Sequence, residues 1–280
     1  MSGNGSAPAV LLEVDAVVAG FGANVVLHGC SYSVHEGEIA AVLGLNGAGK
    51  SVSTKVVAGI VPAREGAVRF RGIDVTRLPA ENRVRLGMGH VPQGRQVFPQ
   101  LTVEQNLRLG GYVQRRRDRS RYPAVLASVL DRFPRLAERR DQAAGTLSGG
   151  EQAMLAVGRA LMSEPALLIV DEASAGLAPK AVEALFETLL EVHRSGVAIL
   201  MIEQNVTFTL RVADRVHIMQ TGRVVYEGAV AELDQDRVAE ELGVGRLLGR
   251  SLSAAASGRK APAASNGKAR RPRAAARKRS

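Results

Sequence analysis

The most informative stretch of the sequence is GLNGAGKS at residues 44–51, which matches the spacing G-x4-G-K-[ST]. Successive N–H groups of such a glycine-rich turn bind phosphate oxygens, and the positive end of a following helix adds to the attraction. Lys50 is then placed to contact the β- and γ-phosphates of a nucleotide, and the Ser51 hydroxyl is placed to bind magnesium. The residues predicted to bind nucleotide in this way are Gly44, Leu45, Asn46, Gly47, Ala48, Gly49, Lys50, Ser51 and Val52.

A pair of carboxylates follows a second apolar run, LLIVDE at residues 167–172. A buried strand here delivers Asp171 to the carboxyl edge of the sheet, where open α/β sheets bind their ligands. Asp171 is the expected partner of magnesium, and Glu172 is the candidate that polarises an attacking water. Taken alone, residues 44–51 could be a chance glycine-rich turn, and residues 167–172 could be a strand followed by two solvated carboxylates. The two segments together predict nucleotide hydrolysis.

The elements that must position these residues are buried parallel strands. Three runs, at 39–44, 167–172 and 197–203, are apolar on consecutive positions rather than alternating. Between the last two, Val182, Leu185, Phe186 and Leu189 repeat with helical spacing, and Gly196 is placed to end that helix. A strand, a helix and a strand in this order predict a right-handed crossover in a doubly wound α/β core.

Other segments add to this core. Residues 10–21 and 25–34 are typical of antiparallel strands with a turn at Gly22–Asn24, and residues 216–228 are typical of a late hairpin. Residues 96–162 are rich in arginine, contain short helical patterns, and are predicted to form an inserted helical subdomain. The run RRRDRSR at 115–121 is expected to be a solvated loop of that subdomain.

The net charge of +10 belongs to the end of the chain. Residues 251–280 contain nine lysines and arginines and no acid, which leaves the rest of the chain at +1. This composition predicts a disordered basic tail, and residues 1–9 are also expected to be disordered. One domain is predicted over residues 10–250. Once the tail is set aside, the charge no longer favours binding to nucleic acid, so no nucleic acid is expected as a partner.

Two further classes are disfavoured by residue usage. The single cysteine, Cys30, excludes an intramolecular disulfide framework, and we expect a buried, reduced side chain there. The longest apolar runs, such as residues 197–202, are far shorter than the roughly 20 residues that span a bilayer. We therefore expect no transmembrane segment.

The sequence LSGGEQ at residues 147–152 resembles the signature motif of the ATP-binding cassette (ABC) ATPases. Further landmarks of that family occur in order: Gln93 in VPQ, the segment ASAGL at 173–177, and IEQN at 202–205. The resemblance covers residues 10–248. It implies a P-loop core with a mostly parallel sheet, an antiparallel β subdomain and the inserted helices, with ATP and Mg²⁺ as ligands.

The resemblance also implies roles for single residues. In the family, two ATPase domains pack head to tail, so that the signature of one domain contacts the ATP bound by the other. Gln93 contacts magnesium and the attacking water, and Phe21 stacks on the adenine, although a core phenylalanine at a strand end is the alternative. Gln204 replaces the family's switch histidine and donates a hydrogen bond to the γ-phosphate without carrying a charge. The signature residues predicted to act on the partner's ATP are Leu147, Ser148, Gly149, Gly150, Glu151 and Gln152.

Two other positions depart from the usual family pattern. Val52 follows Ser51 where threonine is usual, which removes one hydroxyl contact to the α-phosphate. Ala173 replaces the proline that commonly follows the catalytic glutamate. Of the two, Val52 has the more direct consequence for ATP affinity.

The whole motif series is similar to the second ATP-binding subunit of branched-chain amino acid importers and their urea and amide relatives. This resemblance implies a second ABC ATPase subunit (a paralogue or a second copy), two membrane permease subunits and, indirectly, a periplasmic or extracellular solute-binding protein. It places the chain at the cytoplasmic face of the membrane. A soluble ABC ATPase that acts on ribosomes or DNA is the alternative, but such proteins carry two cassettes or a long coiled coil between loop and signature.

Overall fold

The computed structural model describes residues 8–233 and contains two β-sheets. The larger sheet has six strands in the order β10-β9-β3-β8-β7-β6, and all neighbours in it are parallel except β10 and β9. This confirms the predicted mostly parallel core. Its strands are β3 (Ile39–Leu43), β6 (Met88–Val91), β7 (Leu167–Asp171), β8 (Ala198–Ile202), β9 (Arg215–Gln220) and β10 (Arg223–Ala229).

The smaller sheet is antiparallel and has the strand order β2-β1-β4-β5. The first two strands form the predicted hairpin, and Phe21 pairs with Asn24 across a two-residue turn. The strands of this sheet are β1 (Val10–Phe21), β2 (Asn24–His35), β4 (Ala63–Phe70) and β5 (Ile73–Asp74).

Nine α-helices connect the described strands or lie between them. They are α1 (Lys50–Val57), α2 (Ala80–Leu86), α3 (Val103–Gly110), α4 (Tyr112–Arg117), α5 (Tyr122–Arg132), α6 (Pro134–Glu138), α7 (Gly149–Leu161), α8 (Pro179–Arg194) and α9 (Val206–Val212). Short 3-10 helices lie at Ala144–Thr146 and Val230–Glu232.

The central strands are buried on both faces, which explains their continuous apolar sequences. In β3, the side chains of Ile39, Ala41 and Leu43 pack into a core shared with α3, α5, α7 and α8. The intervening Ala40 and Val42 pack into a second core together with α1 and the antiparallel sheet. Helix α1 therefore lies between the two sheets, and the loop before it opens at the carboxyl edge of the larger sheet.

Helices α3–α7 lie between β6 and β7, within the inserted region predicted at residues 96–162. The expectation of a loop at 115–121 was wrong in part, because Arg115, Arg116 and Arg117 form the last turn of α4. Helix propensity favours arginine, and the guanidinium of Arg116 lies over the ring of Tyr112 one turn earlier.

Several predictions fall on other parts of the chain. Apart from Pro8 and Ala9, the two segments expected to be disordered, 1–9 and 251–280, lie outside the described residues, as does the predicted end of the domain at 250. Among residues 8–233, no helix is long and apolar enough to cross a membrane.

Candidate phosphate-binding site

The glycine-rich loop joins β3 to α1 at the carboxyl edge of the larger sheet. Gly47 and Gly49 adopt positive φ angles of 82° and 104°, which side chains disfavour. A Cβ atom on Gly44 would lie 2.2 Å from the carbonyl oxygen of Met219, so this position also requires glycine. The glycine spacing is thus set by the backbone of the loop itself.

The ammonium group of Lys50 lies against this loop. Its Nζ donates to the carbonyl oxygens of Gly44, at 2.8 Å, and Leu45, at 3.0 Å, and the residue is buried. Burial lowers the pKa of Lys50, while the nearby carboxylates of Glu172 and Asp171 oppose that shift. Two backbone carbonyl groups therefore hold the Lys50 ammonium beside the loop. A phosphate oxygen can replace either carbonyl as the acceptor of its hydrogen bonds.

Helix α1 begins without a side-chain cap. Its N-cap residue is Gly49, which has no side chain to accept a hydrogen bond from the first turn. The first backbone N–H groups of a helix have no partner within the helix, so an uncapped end leaves them available to an anion. Val52 follows in the first turn with a half-buried apolar side chain, so its position offers no hydroxyl.

A carboxylate at the end of β7 contacts this helix. Ser51 Oγ donates to Asp171 Oδ1 and Thr54 Oγ1 donates to Asp171 Oδ2, both at 3.1 Å. Asp171 is 1% exposed, and its burial raises its pKa, whereas the two hydroxyl groups oppose the rise. The sequence analysis missed Thr54, although its place three residues after Ser51 puts both hydroxyl groups on one helix face.

A second carboxylate, that of Glu172, is held by an amide. Gln93 Nε2 donates to Glu172 Oε2 at 2.7 Å, which links the segment after β6 to the segment after β7. Glu172 has a left-handed backbone with φ of 46°, and its N–H donates to the carbonyl of Ile202 at 2.8 Å. A non-glycine residue in this conformation is costly, and such residues occur often at functional sites.

The next strand ends in a third carboxylate that the sequence analysis did not select. Glu203 is 2% exposed and accepts hydrogen bonds from the backbone N–H of Ser174, at 3.1 Å, and from the Ser174 hydroxyl. Gln204, the residue at the switch position, follows directly and is exposed. In sequence, Glu203 is only one polar residue after an apolar run, and the serine that donates hydrogen bonds to it is 29 positions away.

The aromatic residue at the end of β1 lies at the surface. Phe21 is 54% exposed, which excludes its alternative assignment as a core residue. The hairpin that carries it packs beside the glycine-rich loop, because a Cβ on Gly49 would lie 3.0 Å from the side chain of Leu27 on β2. An exposed ring on this hairpin is free to stack on a planar ligand.

The segment 147–152 forms the start of α7 in the inserted region. Ser148 is the N-cap residue: its hydroxyl accepts from the N–H of Glu151 at 3.3 Å, and the Glu151 carboxylate accepts from the Ser148 N–H at 2.9 Å. Leu147 is buried, and the Gln152 amide donates to the carbonyl of Ala144 at 3.3 Å. Two N–H groups at this helix end, those of Ser148 and Glu151, are therefore satisfied by side chains of the segment itself.

The two glycines of this segment are closely packed. A Cβ on Gly149 would lie 2.9 Å from Nη1 of Arg95, and a Cβ on Gly150 would lie 2.9 Å from the Cβ of Ala181 on α8. The first of these contacts involves the flexible end of a side chain, but the second involves a fixed methyl group. Gly150 therefore has a packing requirement within this chain, whereas the Arg95 side chain can move away from a Cβ at position 149.

The predicted site residues fall into two groups in space. In the first group, hydrogen bonds join Ser51 and Thr54 of α1 to Asp171 at one edge of the sheet. Another hydrogen bond joins Gln93 to Glu172 at the same edge. Within residues 8–233, no hydrogen bond or ion pair joins segment 147–152 to the loop 44–51. The same residues contain no group of three or more His, Cys, Asp or Glu side chains arranged to hold a metal ion.

Comparisons with known proteins show which family this chain resembles. Residues 27–175 match the family described as ABC transporter. The chain is 43% identical over 223 residues to the high-affinity branched-chain amino acid transport ATP-binding protein BraG of Pseudomonas aeruginosa, which covers 80% of this chain and 94% of that protein. It is 35% identical over 236 residues to the probable branched-chain amino acid transport ATP-binding protein LivF of Archaeoglobus fulgidus, covering 84% and 99% of the two chains.

Solved structures give the same result. The ADP conformation of an ATP-binding cassette of an ABC transporter superimposes with a TM-score of 0.73 at 28% identity, covering 84% of this chain and 99% of that one.

Proposed function

This chain belongs to the ABC transporter family of ATPases, and from that premise we propose that it powers a membrane importer of branched-chain amino acids. As an ABC ATPase it binds and hydrolyses ATP. The observation that supports the solute class is the 43% identity to BraG over nearly the whole length of that protein.

The loop and α1 bind the phosphates of ATP. The N–H groups at the uncapped start of α1 face the β- and γ-phosphates, and Lys50 exchanges the carbonyls of Gly44 and Leu45 for phosphate oxygens. A hydrogen bond between charged groups is roughly twice as strong as a neutral one, so this exchange favours binding. The exposed ring of Phe21 stacks on the adenine.

The residues beside the phosphates suit magnesium. Ser51, Gln93 and Asp171 present a hydroxyl, an amide carbonyl and a carboxylate, and Mg²⁺ prefers oxygen donors while it keeps waters and substrate phosphates as its other ligands. These three residues would hold Mg²⁺, which would neutralise charge that builds up on the phosphates. Asp171 is buried, so a nearby cation also favours its ionised form.

Hydrolysis requires an activated water next to the γ-phosphate. Glu172 accepts the proton of this water. The Gln93 amide, 2.7 Å from the Glu172 carboxylate, fixes the orientation of that carboxylate. Gln204 donates a hydrogen bond to a γ-phosphate oxygen from the end of the neighbouring strand. Together these groups position the water and stabilise charge as it develops.

The second half of each site comes from another ATPase subunit. Segment 147–152 carries an exposed Ser148 at the start of a 13-residue helix, separate from its own loop, and it contacts the ATP of a partner that is a paralogue or a second copy. Two permease subunits carry the solute through the membrane, and a solute-binding protein delivers it. The chain sits at the cytoplasmic face through its permease contacts.

Uptake of labelled leucine tests the solute assignment. Cells without the gene should lose most leucine uptake, the wild-type chain should restore it, and Glu172→Gln should not. Uptake of labelled urea and of a short amide is measured in the same cells. If either of these solutes, rather than leucine, follows the presence of the active chain, the branched-chain assignment is wrong and the urea or amide alternative replaces it.

A further inference from the structure

Glu203 is a buried carboxylate that the proposed reaction does not use. Within residues 8–233, no basic side chain forms an ion pair with it, although it is only 2% exposed. Burial raises the pKa of Glu203, and the hydrogen bonds from Ser174 oppose that rise. A buried carboxylate without a cation is expensive to maintain, so its hydrogen-bond partners indicate what it does.

Those partners belong to the neighbouring turn. One oxygen of Glu203 accepts from the Ser174 N–H at 3.1 Å, and the other accepts from the Ser174 hydroxyl. Ser174 lies two residues after Glu172, while Glu203 lies directly before Gln204. The carboxylate thus connects the turn after β7 to the turn after β8.

A backbone bond makes a second connection between the same two turns. The N–H of Glu172 donates to the carbonyl of Ile202, the last residue of β8, at 2.8 Å. Two connections, one on each side of Ala173, fix the path of the chain where Glu172 has its left-handed backbone. The side chains of Glu172 and Gln204 therefore depend on one shared framework.

We infer that Glu203 is a positioning residue for ATP hydrolysis, which holds Glu172 and Gln204 in a fixed arrangement around the γ-phosphate through its bonds to Ser174. This inference rests on the roles proposed for Glu172 and Gln204. Orientation of reacting groups contributes strongly to rates, and small displacements are costly. The P-loop contacts are separate from this framework, so ATP binding does not depend on it.

The test compares Glu203→Gln with wild type in the assembled transporter, by measuring kcat, KM and the Kd for ATP. An amide presents an NH2 group to one of the two Ser174 donors, so at least one of the two hydrogen bonds is lost. We expect kcat to fall about tenfold or more, with the Kd for ATP within about twofold of wild type. Glu38→Gln is the matched control, because Glu38 is also a buried carboxylate with side-chain partners, Arg215 and His35. Glu38 comes directly before the amino end of β3, whereas the glycine-rich loop follows the carboxyl end.

Substitutions of Ser174 keep the test decisive if Glu203→Gln folds poorly. Ser174→Ala removes the hydroxyl bond and should lower kcat about threefold. Ser174→Thr keeps a hydroxyl and should have a kcat close to that of wild type. In the double variant Glu203→Gln/Ser174→Ala, the two losses should be clearly less than additive, because both act on one connection.

Three results would overturn the inference. They are a wild-type kcat in Glu203→Gln, an equal loss of kcat in the Glu38→Gln control, and a parallel loss of ATP affinity that indicates general damage to the fold. If Glu172→Gln itself hydrolyses ATP normally, the proposed site fails instead, so the two failures are distinguishable.

Discussion

Two helices in this molecule begin with residues that are assigned to phosphate binding, and they begin in opposite ways. Helix α1 starts at Gly49 without a side-chain cap, with Lys50 buried beside it. Helix α7 starts at Ser148 with a complete capping box, in which Ser148 and Glu151 satisfy each other's N–H groups. At α7 two N–H groups are therefore occupied by side chains, whereas no side chain occupies an N–H group at the start of α1.

The difference indicates how each end binds. In the proposed site, the uncapped start of α1 and the adjacent Ser51, Asp171 and Glu172 come from one chain, and no side chain has to leave the helix end before a nucleotide binds. The capped end of α7 is stable alone, so a phosphate from a partner must compete with, or add to, the contacts of Ser148. On the proposed function, the first half of the site is supplied by one chain, whereas the second half is expected to meet a ligand only in the assembly.

The largest effect is expected from removing the base beside α1 while leaving both helix ends unchanged. Glu172→Gln should lower ATP turnover about 100-fold or more, because it removes basicity and preserves size. ATP binding should be retained, and ATP should trap the dimer. Phosphate release and ATP titration measure the two quantities, with the exposed Glu183→Gln on α8 as the control. Retention of more than about a tenth of wild-type turnover would contradict the role of Glu172.

Removing the positive charge beside α1 should act on binding. Lys50→Ala should raise the Kd for ATP about 10- to 100-fold, since a hydrogen bond to a charged group is worth about 1.5–3 kcal/mol. Equilibrium titration with a fluorescent ATP analogue measures it. An unchanged Kd together with reduced turnover would show that the backbone N–H groups alone determine affinity.

A substitution at the start of α7 should affect ATP turnover only in the assembled complex. Ser148→Ala should lower turnover of the complex about tenfold and leave ATP binding to the isolated chain unchanged. Thr102→Ala is the matched control, because Thr102 and Gln105 form the same capping box at the start of α3. Both substitutions should cost about 1 kcal/mol of stability, but only the first should affect turnover.

The composite site can also be tested without a substitution. The specific activity of wild type should increase with protein concentration or on adding the partner ATPase. A constant specific activity in dilute monomer would contradict a site that requires two chains.

A smaller effect is expected at the switch position. Gln204→Ala should lower turnover about fivefold through the loss of one hydrogen bond to the γ-phosphate. Gln204→His should restore much of the activity, since neutral imidazole also donates, and should add a pH dependence at about pH 6–7. Steady-state rates across pH measure both. Wild-type turnover in Gln204→Ala would remove this residue from the catalytic set.

The smallest effect concerns the apolar residue at the start of α1. Val52→Thr should restore the hydroxyl that is usual in the family and lower the Kd for ATP about threefold. Val52→Ile is the control, because it keeps the β-branched shape without a hydroxyl. Equal affinities for the two variants would show that the hydroxyl adds nothing at this position.

The sequence predicted the parts of the site that depend on local pattern. The strands β3, β7 and β8 follow from unbroken apolar runs, and the loop follows from the glycine spacing that its positive φ angles require. Glu203 could not be predicted, because the serine that satisfies this buried carboxylate lies far away in sequence and is brought close by the pairing of β7 with β8. The helical position of Arg115–Arg117 was missed because charge alone does not distinguish an exposed helix from an exposed loop.

The close packing of the signature glycines has a consequence for inheritance. Gly150 faces the methyl group of Ala181, and Gly149 faces Arg95, through contacts within this chain. Selection on the fold and selection on transport therefore act on the same codon at Gly150, whereas the Arg95 side chain can move away from position 149. A gene copy that lost its transport role but still encoded a folded protein would be expected to retain Gly150 longer than Gly149.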